Sequence, residues 1–227
     1  MQSYEYLVEN YQSIRAELDD RGFSMVEIVS VSKTFPWEAV KVLKDFGVRN
    51  FGENRAQEMK SKFQNQSIGD LDLHFLGHLQ SNKARIVSEM CNWVDSVDSI
   101  KLTEVLQRSL TGSQKILNTL IEVNTSGEDQ KSGVRTPDQV YAILDSISKA
   151  PNLCPRGLMT IGPFTNDTDR IRRGFRELSR LFEEISKTQK TEKWNILSMG
   201  MSNDYPLALE EGATMVRLGS SIFGKRP

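Results

Sequence analysis

Little in this sequence points toward metals, redox chemistry or the cell exterior. It has only two cysteines, Cys91 and Cys154. They stand far apart and in no metal or redox spacing, so buried free thiols in a reducing compartment are expected. It has only two histidines, His74 and His78. A pair four residues apart would suit a metal on a helix. Here His74 falls on a strand and His78 in the turn beyond it, so the pair is not expected to converge and each is read as a structural or hydrogen-bonding histidine. No carboxylate pair stands at obvious acid–base spacing. Neither sign of charge dominates, and a formal net charge of −1 gives no electrostatic case for nucleic acid or anionic membrane. No apolar run approaches membrane-spanning length. The polar, acidic start lacks both the apolar core of a signal peptide and the Arg-rich bias of a transit peptide. A cytoplasmic location is expected, and the N-x-S/T sequons at Asn124 and Asn166 then carry no weight. No G-x-G-x-x-G follows the first strand, which counts against a dinucleotide fold. No linker of domain-separating length interrupts the chain, so residues 1–227 are expected to form one domain.

What is present is alternation. Tyr4, Leu7, Tyr11, Ile14 and Leu18 share one helical face, an extra helix before any strand. Strands are expected near residues 26–32, 49–52, 73–76, 93–97, 116–123, 156–160, 196–199 and 215–218. Each is followed by a helix or, at the end, a helical turn. The helix after the first strand is expected to bury Ala39, Val42, Leu43 and Phe46. The next buries Ala56, Met59 and Phe63, and a later one Leu102, Val105 and Leu106. Thr136-Pro137 has the form of an N-cap with a first-turn proline, ahead of Ile143, Leu144 and Ile147. Ile171, Phe175, Leu178, Phe182 and Ile185 make the cleanest amphipathic stripe.

Strict alternation implies parallel pairing through βαβ crossovers. Eight such units in one chain imply an α/β fold, a closed (β/α)8 or TIM barrel. An open doubly wound sheet is the runner-up. A barrel carries its chemistry at the C-terminal ends of its strands. That face would hold Lys33, Asn54, His78, the 124–135 loop, Thr160, residues 198–202 and residues 217–221. The loop from Asn124 to Arg135 is polar and contains Gly127 and Gly133. It is read as a mobile cover over the site, with a plain surface loop as the alternative.

The last two strands end in small residues. Ile196-Leu197-Ser198-Met199 runs into Gly200, and Ser202, Asn203 and Asp204 open a short helix. Met215-Val216-Arg217-Leu218 runs into Gly219-Ser220-Ser221. Free backbone N–H groups and a hydroxyl are what a phosphate needs, and barrels of this class build phosphate sites after strands 7 and 8. The plainer reading is two tight turns that use Gly and Ser only to bend. Arg217 is a cation inside an apolar strand and needs a partner. Lys33 reads either as an exposed lysine at a strand end or as an amine at the barrel mouth that can attack a carbonyl and form a Schiff base. A phosphate clamp, such a lysine and an arginine together suggest a phosphorylated aldehyde. Pyridoxal 5′-phosphate (PLP) fits all three features; a phosphosugar aldolase would fit the first two.

Six segments carry a resemblance. They are Val29-Ser30-Val31-Ser32-Lys33-Thr34, the run from Phe51 to Glu58, the run from His74 to Lys83, Gly157-Leu158-Met159-Thr160, the run from Leu197 to Ser202, and the run from Val216 to Gly224. In this order, over essentially the whole chain, they resemble the pyridoxal phosphate homeostasis protein family. The resemblance implies a barrel like the N-terminal domain of alanine racemase, with PLP held as a Schiff base on Lys33. It implies Ser202, Gly219 and Ser220 as phosphate contacts and Arg217 beside the pyridine nitrogen. Asn54 would lie close to the cofactor, and Ser198 and Met199 would line its site. It implies a PLP-binding protein acting in intracellular PLP (vitamin B6) homeostasis as carrier or buffer. Apo PLP-dependent enzymes would be the recipients, and the protein would be a monomer or weak dimer. The alternatives are a PLP-dependent amino-acid racemase and a Schiff-base phosphosugar enzyme.

Efficient racemisation is not expected. It needs two acid–base groups, one on each face of the bound substrate. Lys33 can serve one face. In alanine racemase a tyrosine of the partner subunit serves the other, in an assembly completed by a C-terminal β-domain. No tyrosine falls among the strand-end motif residues here, and the sequence is expected to leave no room for that domain after Gly224. Arg217 has no acceptor and would disfavour a protonated pyridine, whereas strong electron-sink enzymes commonly place an acid there. Because alanine racemase works with a similar arginine, that feature alone decides nothing.

Overall fold

A computed structural model describes residues 4–188 and 193–225 of the chain. Its elements run α1 (Tyr6–Asp20), β1 (Glu27–Val31), α2 (Trp37–Phe46), β2 (Asn50–Glu53), α3 (Ala56–Phe63) and β3 (Asp72–Phe75). A 3-10 turn (Ser81–Lys83) leads into α4 (Ala84–Met90), then β4 (Trp93–Val97), α5 (Ile100–Ser109), β5 (Leu117–Glu122) and α6 (Pro137–Ser148). The chain finishes with β6 (Leu153–Met159), α7 (Thr168–Thr188), β7 (Ile196–Met201), α8 (Tyr205–Glu210), β8 (Met215–Leu218) and α9 (Ser220–Phe223). Each strand pairs in parallel with the next, and β8 closes on β1 to complete an eight-stranded barrel. Val29 lies opposite Arg217 and Ser30 opposite Leu218 across that seam. The expected α/β (β/α)8 barrel is the observed architecture, and the open sheet is excluded.

The strands split their side chains between two layers, as the two-residue period requires. Val29, Trp93, Leu120, Met159, Ile196 and Met215 pack together inside the barrel. Their chain neighbours, such as Ile28, Val94, Ile121, Leu158, Leu197 and Val216, face out into the larger core under the helices. Gly157 belongs to this geometry: its φ is 153°, and a Cβ there would sit 1.7 Å from the Ile196 carbonyl oxygen.

The helices form for the reasons legible in sequence. Thr136 caps α6 with a full capping box to Gln139, and Pro137 fills the first turn. On α7, Ile171, Phe175, Leu178 and Ile185 are buried, each contributing roughly 1.5–3 kcal/mol of burial. Phe182 is only half-buried and stacks on Trp194 instead. Two helix faces differ from expectation. On α2 the buried set is Ala39, Val40 and Leu43, while Phe46 at the helix end is 44% exposed. Phe46 meets Tyr11 of α1 edge-on rather than entering the core. On α5, Thr103 is buried in place of Val105, its hydroxyl donating to the Ser99 carbonyl.

The extra helix α1 packs beside the seam. Tyr6 Oη donates to the Phe223 carbonyl at 3.1 Å and Asn10 Nδ2 to the Ile222 carbonyl at 2.8 Å. Arg15 donates to the Phe23 and Val26 carbonyls just before β1. Among the described residues no helix is long and apolar enough to cross a membrane.

Candidate functional site

At the C-terminal ends of β1, β7 and β8 the chain encloses a cavity of about 250 Å3. Lys33, Asn54, Ser202, Arg217, Gly219 and Ser220 all line it. These are six of the eight residues singled out from sequence. Val31, Leu76, Ile161, Met201 and Asn203 complete the walls; all but Ile161 fall in segments quoted from the sequence, none of them singled out for the site. Two recesses are about twice as large, about 480 Å3 between α6 and α7 and about 510 Å3 between α2 and α3. They lie against the outer helices and lack this convergence of an amine, a buried guanidinium and backbone donors.

The other two sequence-derived residues sit outside the lining. Ser198 is fully buried on the inner face of β7, one step below the cavity, and accepts from Arg217. Met199 is also fully buried, but the pleat turns it outward into the apolar layer under the helices. Its expected place on the cavity wall is therefore corrected: neighbours on a strand cannot both face inward.

Arg217 is fixed from two sides. It donates at 2.7 Å to Ser198 Oγ and at 2.7 Å to the Thr160 carbonyl. Thr160 is itself held, its hydroxyl donating to the Val123 carbonyl at 2.6 Å. Burial lowers the Arg217 pKa, while the carboxylates of Asp95, Asp204 and Glu122 work against that shift. The guanidinium stays charged at neutral pH, and its charge is balanced within the barrel. Asp204 accepts the Met201 N–H at 2.6 Å, and burial holds its own pKa above the usual value.

The turns after β7 and β8 converge on one point. The N–H groups of Gly219 and Ser221 donate to Ser202 Oγ at 3.2 and 3.1 Å. Two backbone donors from one turn thus meet a hydroxyl from the other. Gly219 has no conformational need to be glycine, since its φ is −107°. A Cβ there would make only ordinary contact with Val31, 3.6 Å from its carbonyl oxygen. What the missing side chain provides is room in the cavity.

Gly200 has the opposite reason. With φ at 92°, its Cβ would meet Ala208 Cβ at 2.6 Å, so the turn that delivers Ser202 requires glycine. Asn54 follows β2, and its carbonyl would lie 2.2 Å from a Cβ on Gly77, which explains the glycine before His78.

The two histidines remain apart in role. His74 is fully buried, stacks on Trp93 at 4.9 Å and bonds Asp95 at 3.1 Å. His78 is exposed and bonds Asp98 at 3.1 Å. Among the described residues no group of His, Cys, Asp or Glu is arranged to hold a metal. Cys91 and Cys154 are buried free thiols, as expected.

The loop from Asn124 to Arg135 is tied to itself. Asn124 Nδ2 donates to the carbonyls of Glu128 and Lys131, its Oδ1 accepts from Ser126, and Val134 pairs with Val123. Lys131 Nζ reaches the Gly162 carbonyl at 2.8 Å. These bonds support the plain surface loop over the mobile cover.

A barrel with an amine at the end of its first strand and converging donors after its last two defines a class. The family model described as "Alanine racemase, N-terminal domain" matches residues 3–227. Within that class, the "Pyridoxal phosphate homeostasis protein" of Haemophilus influenzae is 37% identical over 211 residues, covering 92% of this chain and 88% of its own. The protein of the same name from Vibrio cholerae is 38% identical over 228 residues, covering 96% and 95%. The solved structure of PipY from Synechococcus elongatus, with PLP bound, superposes at a TM-score of 0.85 with 34% identity, over 96% of this chain and all of that one. The chain belongs to the pyridoxal phosphate homeostasis protein family.

Proposed function

We propose that this protein binds PLP in the cavity at the ends of β1, β7 and β8 and acts in PLP homeostasis as a carrier or buffer of the cofactor. The observation that carries the reading is the convergence there of Lys33, Arg217, Ser202, Gly219 and Ser220. When bound, PLP supplies an aldehyde that condenses with amines and a ring that can accept electrons. Lys33 Nζ would supply the amine to which the aldehyde is held. Ser202, Gly219 and Ser220 hold the phosphate, with the backbone N–H groups and hydroxyls as donors. Arg217 would stand beside the pyridine nitrogen and, having no acceptor, would disfavour its protonation. Asn54 would lie near the ring. Ser198 acts below it by orienting Arg217.

The carrier reading over an enzyme is supported by the lining. Its one amine is Lys33, its one guanidinium is Arg217, and the residues described there include no carboxylate, imidazole, phenol or thiol. A two-sided proton transfer needs a second group, whose contribution is roughly 10²–10⁴-fold. A poor racemase is the outcome that this lining supports. Apo PLP-dependent enzymes are the natural recipients of a cofactor held this way, and a reducing cytoplasm is the compartment that suits two buried free thiols.

The test is spectroscopic and chemical. Purified protein with PLP should absorb in the visible, and borohydride should fix the cofactor on Lys33. Lys33→Ala should lose both signals. An adduct that maps only to another lysine overturns the site. A turnover number near the enzyme median of about ten per second with any common D- or L-amino acid overturns the carrier reading.

A further inference from the structure

The turn that carries Lys33 is held in a conformation its own residues disfavour. The Phe35 N–H donates to the Ser32 carbonyl at 3.0 Å, closing a four-residue turn with Lys33 and Thr34 at its centre. Thr34 has φ of 70° and is the only non-glycine among the described residues with positive φ. A turn with positive φ at its third residue favours glycine or asparagine there, and a β-branched residue in that region is strained. Thr34 is exposed, so packing of its side chain does not hold the turn.

Helix α3 does. The Thr34 N–H donates to Glu58 Oε1. One helical turn further, Lys62 Nζ donates to the Ser32 carbonyl at 2.8 Å. Lys62 is anchored in turn by Glu53 at 2.6 Å, and both side chains are almost wholly buried. Glu53 also accepts the Ser32 hydroxyl at 2.6 Å, and Glu58 lies 3.8 Å from Lys62. Neither Glu58 nor Lys62 lines the Lys33 cavity; with Thr34 they border the separate recess between α2 and α3.

We infer that Glu58 and Lys62 are positioning residues for Lys33: from one face of α3 they grip the carbonyl at one end of the turn and the N–H at the other, and so aim the lysine into the cavity. This rests on the reading of Lys33 as the amine that meets PLP. Without the grip the turn relaxes at Thr34, and the Cα–Cβ bond of Lys33 swings with it. The amine then meets the aldehyde in reactive geometry less often, while the phosphate donors are untouched. The hold also explains why threonine is tolerated where glycine would sit without strain.

The experiment compares wild type, Glu58→Ala, and Glu58→Ala combined with Thr34→Gly. The two ligands are PLP and pyridoxine 5′-phosphate, which keeps the ring and phosphate and replaces the aldehyde with an alcohol. Glu58→Ala should weaken PLP roughly tenfold or more, the usual scale for a misplaced reacting group, and leave pyridoxine 5′-phosphate affinity unchanged. Adding Thr34→Gly should recover most of the loss, because glycine holds positive φ without strain. Amide hydrogen exchange over residues 32–35, measured without any ligand, should speed up in Glu58→Ala. For the lysine half, Lys62→Met is paired with Glu53→Gln, so that no buried charge is left alone; the same ligand split is expected. An equal loss for both ligands, an unchanged PLP affinity, or no recovery with glycine overturns the inference. If wild type yields no borohydride adduct on Lys33, the PLP reading fails; the grip is then judged by exchange alone, supported by faster exchange in Glu58→Ala and overturned by unchanged exchange.

Discussion

Ser202 shows how one hydroxyl joins two turns. Its oxygen is the common acceptor for the Gly219 and Ser221 N–H groups, so its place is fixed by the turn after β8, which carries the proposed phosphate contacts Gly219 and Ser220. Ser202→Ala should lower PLP affinity roughly tenfold, the worth of one hydrogen bond to a charged acceptor. Pyridoxal, which lacks the phosphate, should bind wild type and variant alike. An equal fall for both would make Ser202 a support of the turn only. Glu122 presents a different residue-scale problem. It is 3% exposed, Ser132 donates to its Oε1 at 2.9 Å, and its Oε2 has no partner. Burial raises its pKa above the usual 4.5. A raised carboxylate pKa contributes stability that is present below the unfolded value and lost as pH rises through the folded one. Above the unfolded value the buried carboxyl is therefore a burden on the barrel. Glu122→Gln should raise Tm by about 2–4 °C at pH 7 and give no gain at pH 4. A gain of the same size at both values would mean that charge is not the cause.

At the scale of elements, the loop after β5 is where the sequence reading and the structure part. Polarity and two glycines suggested mobility, but neither reveals that Asn124 bonds back to Ser126, Glu128 and Lys131. Asparagine closes such turns through its own side chain, a local signal masked by the expectation for long loops. Backbone amides over residues 126–134 should be protected from exchange without ligand. Asn124→Ala should release them while the strands stay protected. Exchange at unfolded rates in wild type would restore the mobile cover. The strands were legible to within two or three residues because their apolar runs are bounded by glycine and polar turns. The helix faces were legible only in part: on α2 Val40 is buried rather than Val42 and Phe46 finds Tyr11 in place of the core, and on α5 Thr103 is buried rather than Val105. The hold of α3 on the Lys33 turn was not legible. Nothing in the sequence pattern links Glu53, Glu58 and Lys62; it is the packing of β2 against α3 that buries two of them.

For the molecule as a whole, the cavity was legible because barrel closure brings together residues from opposite ends of the chain. Six of the eight sequence-derived residues line it; Met199 fell away on strand parity, and Ser198, on the inner face, lies one step below the cavity. The closure of β8 on β1 also has a consequence in time. Lys33 belongs to the first strand and its proposed phosphate partners to the last two, so no binding site exists until the final pairing forms. Non-local pairings of this kind are the slow ones, and a ligand that recognises only the finished barrel acts on the native state. PLP at a hundredfold excess over its Kd should therefore slow unfolding roughly 100-fold and leave the refolding rate unchanged; faster refolding with PLP would mean that the site forms before closure. On the ribosome the same order holds. A nascent chain with β8 still in the exit tunnel carries the lysine but lacks the proposed phosphate donors, so on this reading the cofactor is taken up only after that strand has emerged.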